Sequence, residues 1–366
     1  MEESFNDFCD RISDPRKGHN ILYPVNEIIL LVLCAVISNC NGWKDIELYG
    51  LTKIDFLKTL LPFQQGIPSD DTLRRFFRAL DPEAFGLVFV KWARNLSKLP
   101  ESAVIAIDGK TSRRSFDEES PALHTVSAFA SEVGVILGHT GTKGKGQEIK
   151  GILELLSIID IKGSVVTTDA IGTQRKIAKA VVQGGGDYIS ALKGNQGNMH
   201  ADVIEFFRNP PSDIETDIEY DKAHGRLEKR VCSIISGKDV TDYIAWPGLS
   251  IIIRMERFRE IKGTTTAETA YYVTSLKSDA KTIGKKIRAH WGVENSLHHV
   301  LDVSFGDDQS RIRKGYAPKN MMTVRQVAIN MIKVAKPKGQ SIVQTRKRAG
   351  WDNGTLQSIL HKGYPT

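Results

Sequence analysis

The run Ala103 to Thr111, AVIAIDGKT, constrains the fold more than any other stretch of the chain: five apolar residues end on an aspartate followed at once by glycine. Period-2 alternation is absent and the run is too short for a helix, so it reads as a strand buried on both faces. Asp108 then stands at the strand's tip. A carboxylate in that position is costly to desolvate unless a cation or hydrogen-bond donors meet it, so it calls for a partner. The same grammar returns at Gly163 to Ala170, GSVVTTDA, where a β-branched run ends on Asp169. Two strands would thus bring two carboxylates to one sheet edge, which is how oxygen-ligand sites for hard divalent cations are built.

The segments around these strands fall into a definite order. Residues 1–100 read as a helical domain. One helix, Asn26 to Ser38, is expected to be capped by Asn26 after Pro24. A second starts at Ser69, with Leu73, Phe76, Phe77 and Leu80 on one face and Arg74, Arg75 and Arg78 mostly on another. A third runs from Pro82 and carries Phe85, Val88, Phe89 and Trp92. From residue 101 to 194 the pattern is β-β-β-α-β-α-β. After the Asp108 strand come Leu123 to Ala130 and Gly134 to Thr140, joined by a short turn as an antiparallel meander. A Gly/Lys loop, GTKGKGQ, leads to a helix Glu148 to Ile159 whose inner side is read as Ile149, Ile152, Leu153, Leu156 and Ile159. The Asp169 strand, a helix Gln174 to Gln183 and a strand Asp187 to Lys193 complete the unit. The long crossover before the Asp169 strand permits parallel pairing with the Asp108 strand. Residues 195–277, with alternating runs at Arg230 to Ile235, Ser250 to Ile253 and Ala270 to Thr274, read as a β-rich insertion. Residues 278–335 return to helix, and 336–366 read as a basic tail.

Composition is that of a soluble globular protein: 366 residues, 41% hydrophobic and 25% charged. Cys9, Cys34, Cys40 and Cys232 form no CxxC pair, and the sequence opens without an apolar leader, so a reducing, cytoplasmic setting is expected. The longest apolar run, Ile28 to Ile37, is half of the ~20 residues that a membrane span needs, so no membrane segment is expected. Net charge is +7, but residues 281–366 carry 16 Lys and Arg against 5 Asp and Glu. Such clustering suits a phosphate backbone, and it also suits a solvated tail.

A third acid lies in HWGVENSLHHV. On a continuous helix from Thr282 to Val300, at 100° per residue, Ile283, Ile287 and Leu301 each fall about 20° from Glu294. Glu294 would then sit inside an apolar stripe, where an unpaired glutamate is disfavoured. Either a basic partner neutralises it or it faces a metal with the two strand-borne aspartates. Asp302, Asp307 and Asp308 are competitors for which capping or surface roles are expected. Other templates fail. GKT at Gly109 to Thr111 lacks the earlier glycine of a phosphate-binding loop, since that position is Val104. GTKGKGQ lacks dinucleotide-binding spacing, and adjacent His298 and His299 have no zinc-site spacing and are read as core or surface residues.

Two strand-borne aspartates, the β-β-β-α-β-α-β order, a β-rich insertion and a glutamate on a later helix together resemble the ribonuclease-H-like core of DDE transposases. More narrowly, the chain resembles the H-repeat-associated transposases of bacterial insertion sequences, through AVISNCNGWKDIE, AIDGKTSRRS, TTDAIGTQ, DYISALKGNQ, HGRLEKR, HWGVENSLHHVLDVSFGDD and RIRKG. The resemblance implies an α/β, ribonuclease-H-like mixed sheet with flanking helices, a β-rich insertion and an N-terminal helical domain. It implies Asp108, Asp169 and Glu294 as a catalytic and metal-binding triad. Related transposases place Tyr, Arg and Lys around the glutamate, whereas this chain has Ile287, His290 and Leu301 there. His290, or Lys286 and Arg288 beside it, would have to substitute.

The chemistry so implied is phosphoryl transfer at element ends with two Mg2+ ions, Mn2+ substituting, one activating water or a 3′-hydroxyl and the other stabilising the leaving oxygen. The implied partners are double-stranded DNA at terminal inverted repeats, target DNA and a second copy of the chain. The bound state would lie on the nucleoid. Candidate DNA contacts are Lys193, Asn195 and Gln196 in KGNQ, with a simple turn as the competing reading, and Lys286, Arg288, His290, Arg311, Arg313, Arg346, Lys347 and Arg348. In the insertion, His224, Gly225 and Arg226 belong to HGRLEKR, and Arg226 and Arg230 share a strand face and could clamp adjacent phosphates. Trp246, in an AWPG turn, could stack on a displaced base of a distorted DNA end, with packing inside the insertion as the preferred reading. A stand-alone metal-dependent nuclease and a non-catalytic DNA-binding regulator are the alternatives.

Overall fold

The computed structural model describes residues 4–364 except 19–20, 97, 119–120, 143, 224–225, 241–243 and 262. His224 and Gly225 therefore lie outside the described residues.

Helices α1 (Phe5–Asp10), α2 (Val25–Ile37), α3 (Trp43–Thr52), α4 (Ile54–Leu57), α5 (Asp70–Ala79) and α6 (Pro82–Leu96) come first. The Ser69 hydroxyl caps α5 by accepting the Thr72 N–H, as the sequence predicts. The start of α2 differs: Pro24 stands at the cap without a side-chain bond, and the Asn26 carbonyl oxygen of the side chain accepts the Glu27 N–H inside the first turn.

Strands β1 (Val104–Thr111), β2 (His124–Ala130) and β3 (Val135–Thr142) form the predicted meander, followed by α7 (Glu148–Ile158), β4 (Val165–Thr168), α8 (Arg175–Gln183) and β5 (Asp187–Leu192). Helix α7 buries Ile152, Leu155 and Leu156, while Ile149 is exposed and not part of its inner face. Strand β1 is buried from Val104 to Ile107 and pairs in parallel with β4. The register sets Ile107 beside Thr168, so the next residue on each strand, Asp108 and Asp169, emerges at the same edge.

The segment read as an insertion contains a helix as well as strands: α9 (Gly197–Arg208), then β6 (Glu215–Ala223), β7 (Arg226–Ser236), β8 (Ile251–Ile261) and β9 (Thr264–Thr274). It extends the same sheet. Strand β9 pairs antiparallel with β5, from Ile189 with Thr274 to Leu192 with Tyr271, giving the order β3-β2-β1-β4-β5-β9-β8-β7-β6. Trp246 packs against the apolar core, with the Arg175 guanidinium 5.9 Å from its ring centre.

Helix α10 (Ala280–His290) is followed by a π-helical turn at Glu294–His298, then α11 (His299–Phe305), α12 (Ala317–Ala335), α13 (Ile342–Trp351) and α14 (Asn353–Gly363). Residues 336–366 thus hold two packed helices where a basic tail was expected. One apolar core joins both ends of the chain, from Phe8 and α2 through Phe89 and Trp92 to Phe305, α12, Leu356 and Tyr364. The Trp92 indole N–H donates to the Gly363 carbonyl at 3.1 Å. Among the described residues, no helix is long and apolar enough to cross a membrane.

Candidate metal centre

The sheet edge that presents Asp108 also meets the break between α10 and α11. Asp108 accepts the Gly109 N–H at 2.8 Å through Oδ1, and its Oδ2 lies 3.5 Å from His298 Nδ1. Burial pushes the Asp108 carboxyl up to about 6, and the charges of Asp169 and Glu148 push the same way against the pull of His298 and the Gly109 N–H. Asp169 follows β4 and caps the next turn, accepting the N–H groups of Ile171 at 3.0 Å and Gly172 at 3.2 Å. Glu294 opens the π turn and projects into the cleft with its side chain 57% exposed, and its Oε2 lies 3.0 Å from His298 Nδ1. Asp108, Asp169 and Glu294 line one cavity of about 390 Å3 with Lys193, His290 and Trp291. Ligand atoms of Asp108, Glu294 and His298 lie within 4.8 Å of one another, and Asp169 stands outside that group on the same cavity wall.

The apolar stripe around Glu294 does not form, because the helix is not continuous. Ile283 and Ile287 are buried beneath the strands of the sheet, Leu297 and Leu301 are buried in the helical core, and the π turn between them lets Glu294 face the cleft. His298, read from the sequence as a core or surface residue, is both buried and aimed at two of the acids. Its spacing of four from Glu294 is the signal that could have found it.

The competing acids have a different fate. Lys110 Nζ lies 2.7 Å from Asp302, 3.3 Å from Asp308 and 3.9 Å from Asp307. Asp307, for which a capping or surface role was expected, is fully buried and bonded to Arg325 and the Ser112 hydroxyl.

The family models match this layout. A DDE_Tnp_1-associated domain covers residues 7–93, and the transposase DDE domain covers residues 99–331. The chain belongs to the DDE transposase family. It is 34% identical to "Putative transposase YncI" of Escherichia coli O157:H7, over 98% of this chain and 94% of that one. It is 36% identical to "H repeat-associated putative transposase YhhI" of Escherichia coli K12, over 95% of each chain.

Within this DDE transposase the residues read as DNA contacts separate by environment. Lys193 is exposed at the mouth of the acidic cavity. Asn195 and Gln196 instead secure the loop after Asp169, donating their side-chain amides to the carbonyls of Ala170 at 2.6 Å and Thr173 at 2.7 Å. His290 Nδ1 lies 2.9 Å from the Thr167 hydroxyl, and burial pulls its imidazole down to about 4, so the ring is neutral at pH 7. Lys286 donates to the Ser102 carbonyl, and Arg288 pairs with Asp221 at 2.7 Å and Glu219 at 3.3 Å. None of the three is an unpaired cation beside Glu294. The alternation that puts Arg226 and Arg230 on one face of β7 also puts Glu228 between them, and Glu228 binds both. Arg313 donates to the Arg114 carbonyl, and Arg311 is exposed. Arg346 is fully buried, donating to the Val36 carbonyl with its guanidinium 3.8 Å from the Phe305 ring centre, so it is a core residue and not a DNA contact. Its neighbours Lys347 and Arg348 are exposed.

Proposed function

We propose that this chain is an insertion-sequence transposase that cuts and joins DNA strands at element ends by two-metal phosphoryl transfer on a ribonuclease-H-like core. The observation that carries the reading is the acidic cavity. Three carboxylates from β1, the end of β4 and the π turn converge on it, and among the described residues no Lys or Arg forms an ion pair with any of them. An all-oxygen donor set with one adjacent imidazole fits a hard divalent cation, Mg2+ with Mn2+ as its substitute. Asp108, between the other two, would hold both ions, with Asp169 and Glu294 each completing one side. Bound there, the ions would neutralise the developing charge on the attacking and leaving oxygens.

The chain's own groups supply the rest. Asp169 is held in place by two backbone N–H groups, and the Asn195 and Gln196 amides keep its loop closed. Lys193 at the cavity mouth is placed to meet a scissile phosphate, and Lys347, Arg348 and Arg311 offer exposed charge to the flanking duplex. The reading takes terminal inverted repeats and target DNA as partners, a homodimer as the acting form and the cytoplasmic nucleoid as its place. The test is incubation of the protein with a duplex spanning the junction of the element end. Mg2+-dependent nicking at that junction, blocked by chelator, is expected; cleavage that ignores the end sequence would make it a general nuclease, and no cleavage with intact end binding would make it a regulator.

A further inference from the structure

Glu294 reaches the cavity only because the helical segment 280–305 is broken, and the break is held by side chains from elsewhere in the chain. In the π turn the His299 N–H bonds the Glu294 carbonyl, one residue farther back than in an α-helix. Two side chains from elsewhere in the chain bond carbonyls of this segment. The Ser131 hydroxyl, just past β2, donates to the Ala289 carbonyl at 2.8 Å, before the turn. Lys333 Nζ, near the end of α12, donates to the Ser296 carbonyl at 2.9 Å, inside it.

Lys333 is an unusual donor for a carbonyl. Its Nζ lies 4.4 Å from the ring centre of Phe129, and burial pulls the amine down to about 7. A buried amine needs partners, and the Ser296 carbonyl and the Phe129 ring supply them. Gly292 lets the turn settle on β2, since a Cβ there would meet the Ser131 hydroxyl oxygen at 3.1 Å and the Phe129 ring at 3.5 Å. Ser131, Phe129 and Lys333 thus form one cradle under the segment that presents Glu294.

We propose that Lys333 and Ser131 are positioning residues for Glu294: by taking the Ser296 and Ala289 carbonyls they keep the π turn from relaxing to an α-helix, which would rotate the carboxylate out of the cavity. The inference rests on the metal-site reading above. It is tested by Mn2+ titration followed by electron paramagnetic resonance, with the metal alone as probe. Glu294→Gln is expected to weaken Mn2+ binding tenfold or more. Lys333→Met, which keeps the aliphatic stem, should weaken it about tenfold, as loss of an outer support does, and Ser131→Ala about threefold. The decisive readout is coupling: in the Glu294→Gln background, adding Lys333→Met or Ser131→Ala should change the affinity less than twofold. Full-sized losses in that background overturn the inference, as does wild-type affinity in both single variants. Should Lys333→Met fail to fold, the Ser131→Ala pair of measurements decides alone. An unchanged affinity in Glu294→Gln overturns the metal reading and this inference with it, whereas a weakened Glu294→Gln beside unaffected supports overturns the inference only.

Discussion

Two triplets of acids gather along one strand. Asp108 and Lys110 project from the same face of β1, two residues apart. Asp108 joins Asp169 and Glu294 around a cavity, while Lys110 reaches into Asp302, Asp307 and Asp308. Ligand atoms of Asp302, Asp307 and Asp308 lie within 4.8 Å of one another, as do those of Asp108, Glu294 and His298, with Asp169 on the same cavity wall. In one, the protein supplies its own cations, Lys110 and Arg325, with Asp307 fully buried between them. That triplet is an internal clamp, fastening the turn after α11 to β1. In the other, no Lys or Arg among the described residues pairs with the acids, and the strain falls on Asp108, whose carboxyl is held at about 6 by burial. Acid density alone is therefore a poor sign of a site; what distinguishes one is the missing counter-charge.

The largest effect should come from emptying the unneutralised triplet. Asp108→Asn, Asp169→Asn and Glu294→Gln are each expected to lower end cleavage roughly a thousandfold or more while leaving end binding near wild type. Gel assays of cleavage and binding check this, and near-normal cleavage in any variant removes that residue from the centre.

Next comes the clamp. Lys110→Met removes the one cation of Asp302 among the described residues and half-strips Asp308 and Asp307, which keep Arg113 and Arg325, and should cost about 1–3 kcal/mol of stability. The sharper outcome is rescue: millimolar Ca2+ should restore more of the loss in Lys110→Met than it adds to wild type, because the variant's second triplet no longer has Lys110 as its cation. Thermal melts with and without Ca2+ measure it. Equal Ca2+ responses would break the comparison.

A smaller effect follows from Asp108 itself. Its folded value of about 6 lies above the ordinary carboxylate range, so its contribution to stability is present at low pH and is lost as pH rises through about 4 to 6. Without metal at pH 7.5, Asp108→Asn should be about 1–2 kcal/mol more stable than wild type, with little difference near pH 4. Saturating Mg2+ should reverse the order at pH 7.5. Urea melts at the two pH values decide it, and equal stabilities at pH 7.5 would mean that the carboxylate is not strained.

The smallest effect concerns the basic C-terminal helices. Lys347→Ala with Arg348→Ala should reduce the slope of log affinity for end DNA against log salt by about 0.9 for each phosphate that the variant no longer neutralises. Arg346→Ala should lower the melting temperature, because its guanidinium is packed on Phe305 and bonded to Val36.

The two strand-borne acids of the candidate site were legible in the sequence, as buried β-branched runs that end on carboxylates, and the parallel pairing that the crossover through α7 permitted is the one that forms. Glu294 was legible as an acid in conflict with its helix. The resolution was not, since a π turn depends on Ser131 and Lys333, far away in sequence. Strands β7 to β9 were visible by alternation, but their union with β5 was not, because a sheet edge carries no sequence mark of what it pairs with. Basic residues were the least legible: Arg346, Arg348 and Arg230 look alike in one dimension, and only packing separates the core cation, the exposed one and the one bound by Glu228.

The shared core of the two chain ends also sets a timetable for biosynthesis. Helix α2 is almost wholly buried, and its Val36 carbonyl waits for Arg346, 310 residues later. At ~5–20 residues per second, translation leaves that apolar helix without its final cover for roughly 15–60 s. The π turn gains its bond from Lys333 only after α12 has been made, so a ribosome-bound chain still short of α12 holds Glu294 without that support.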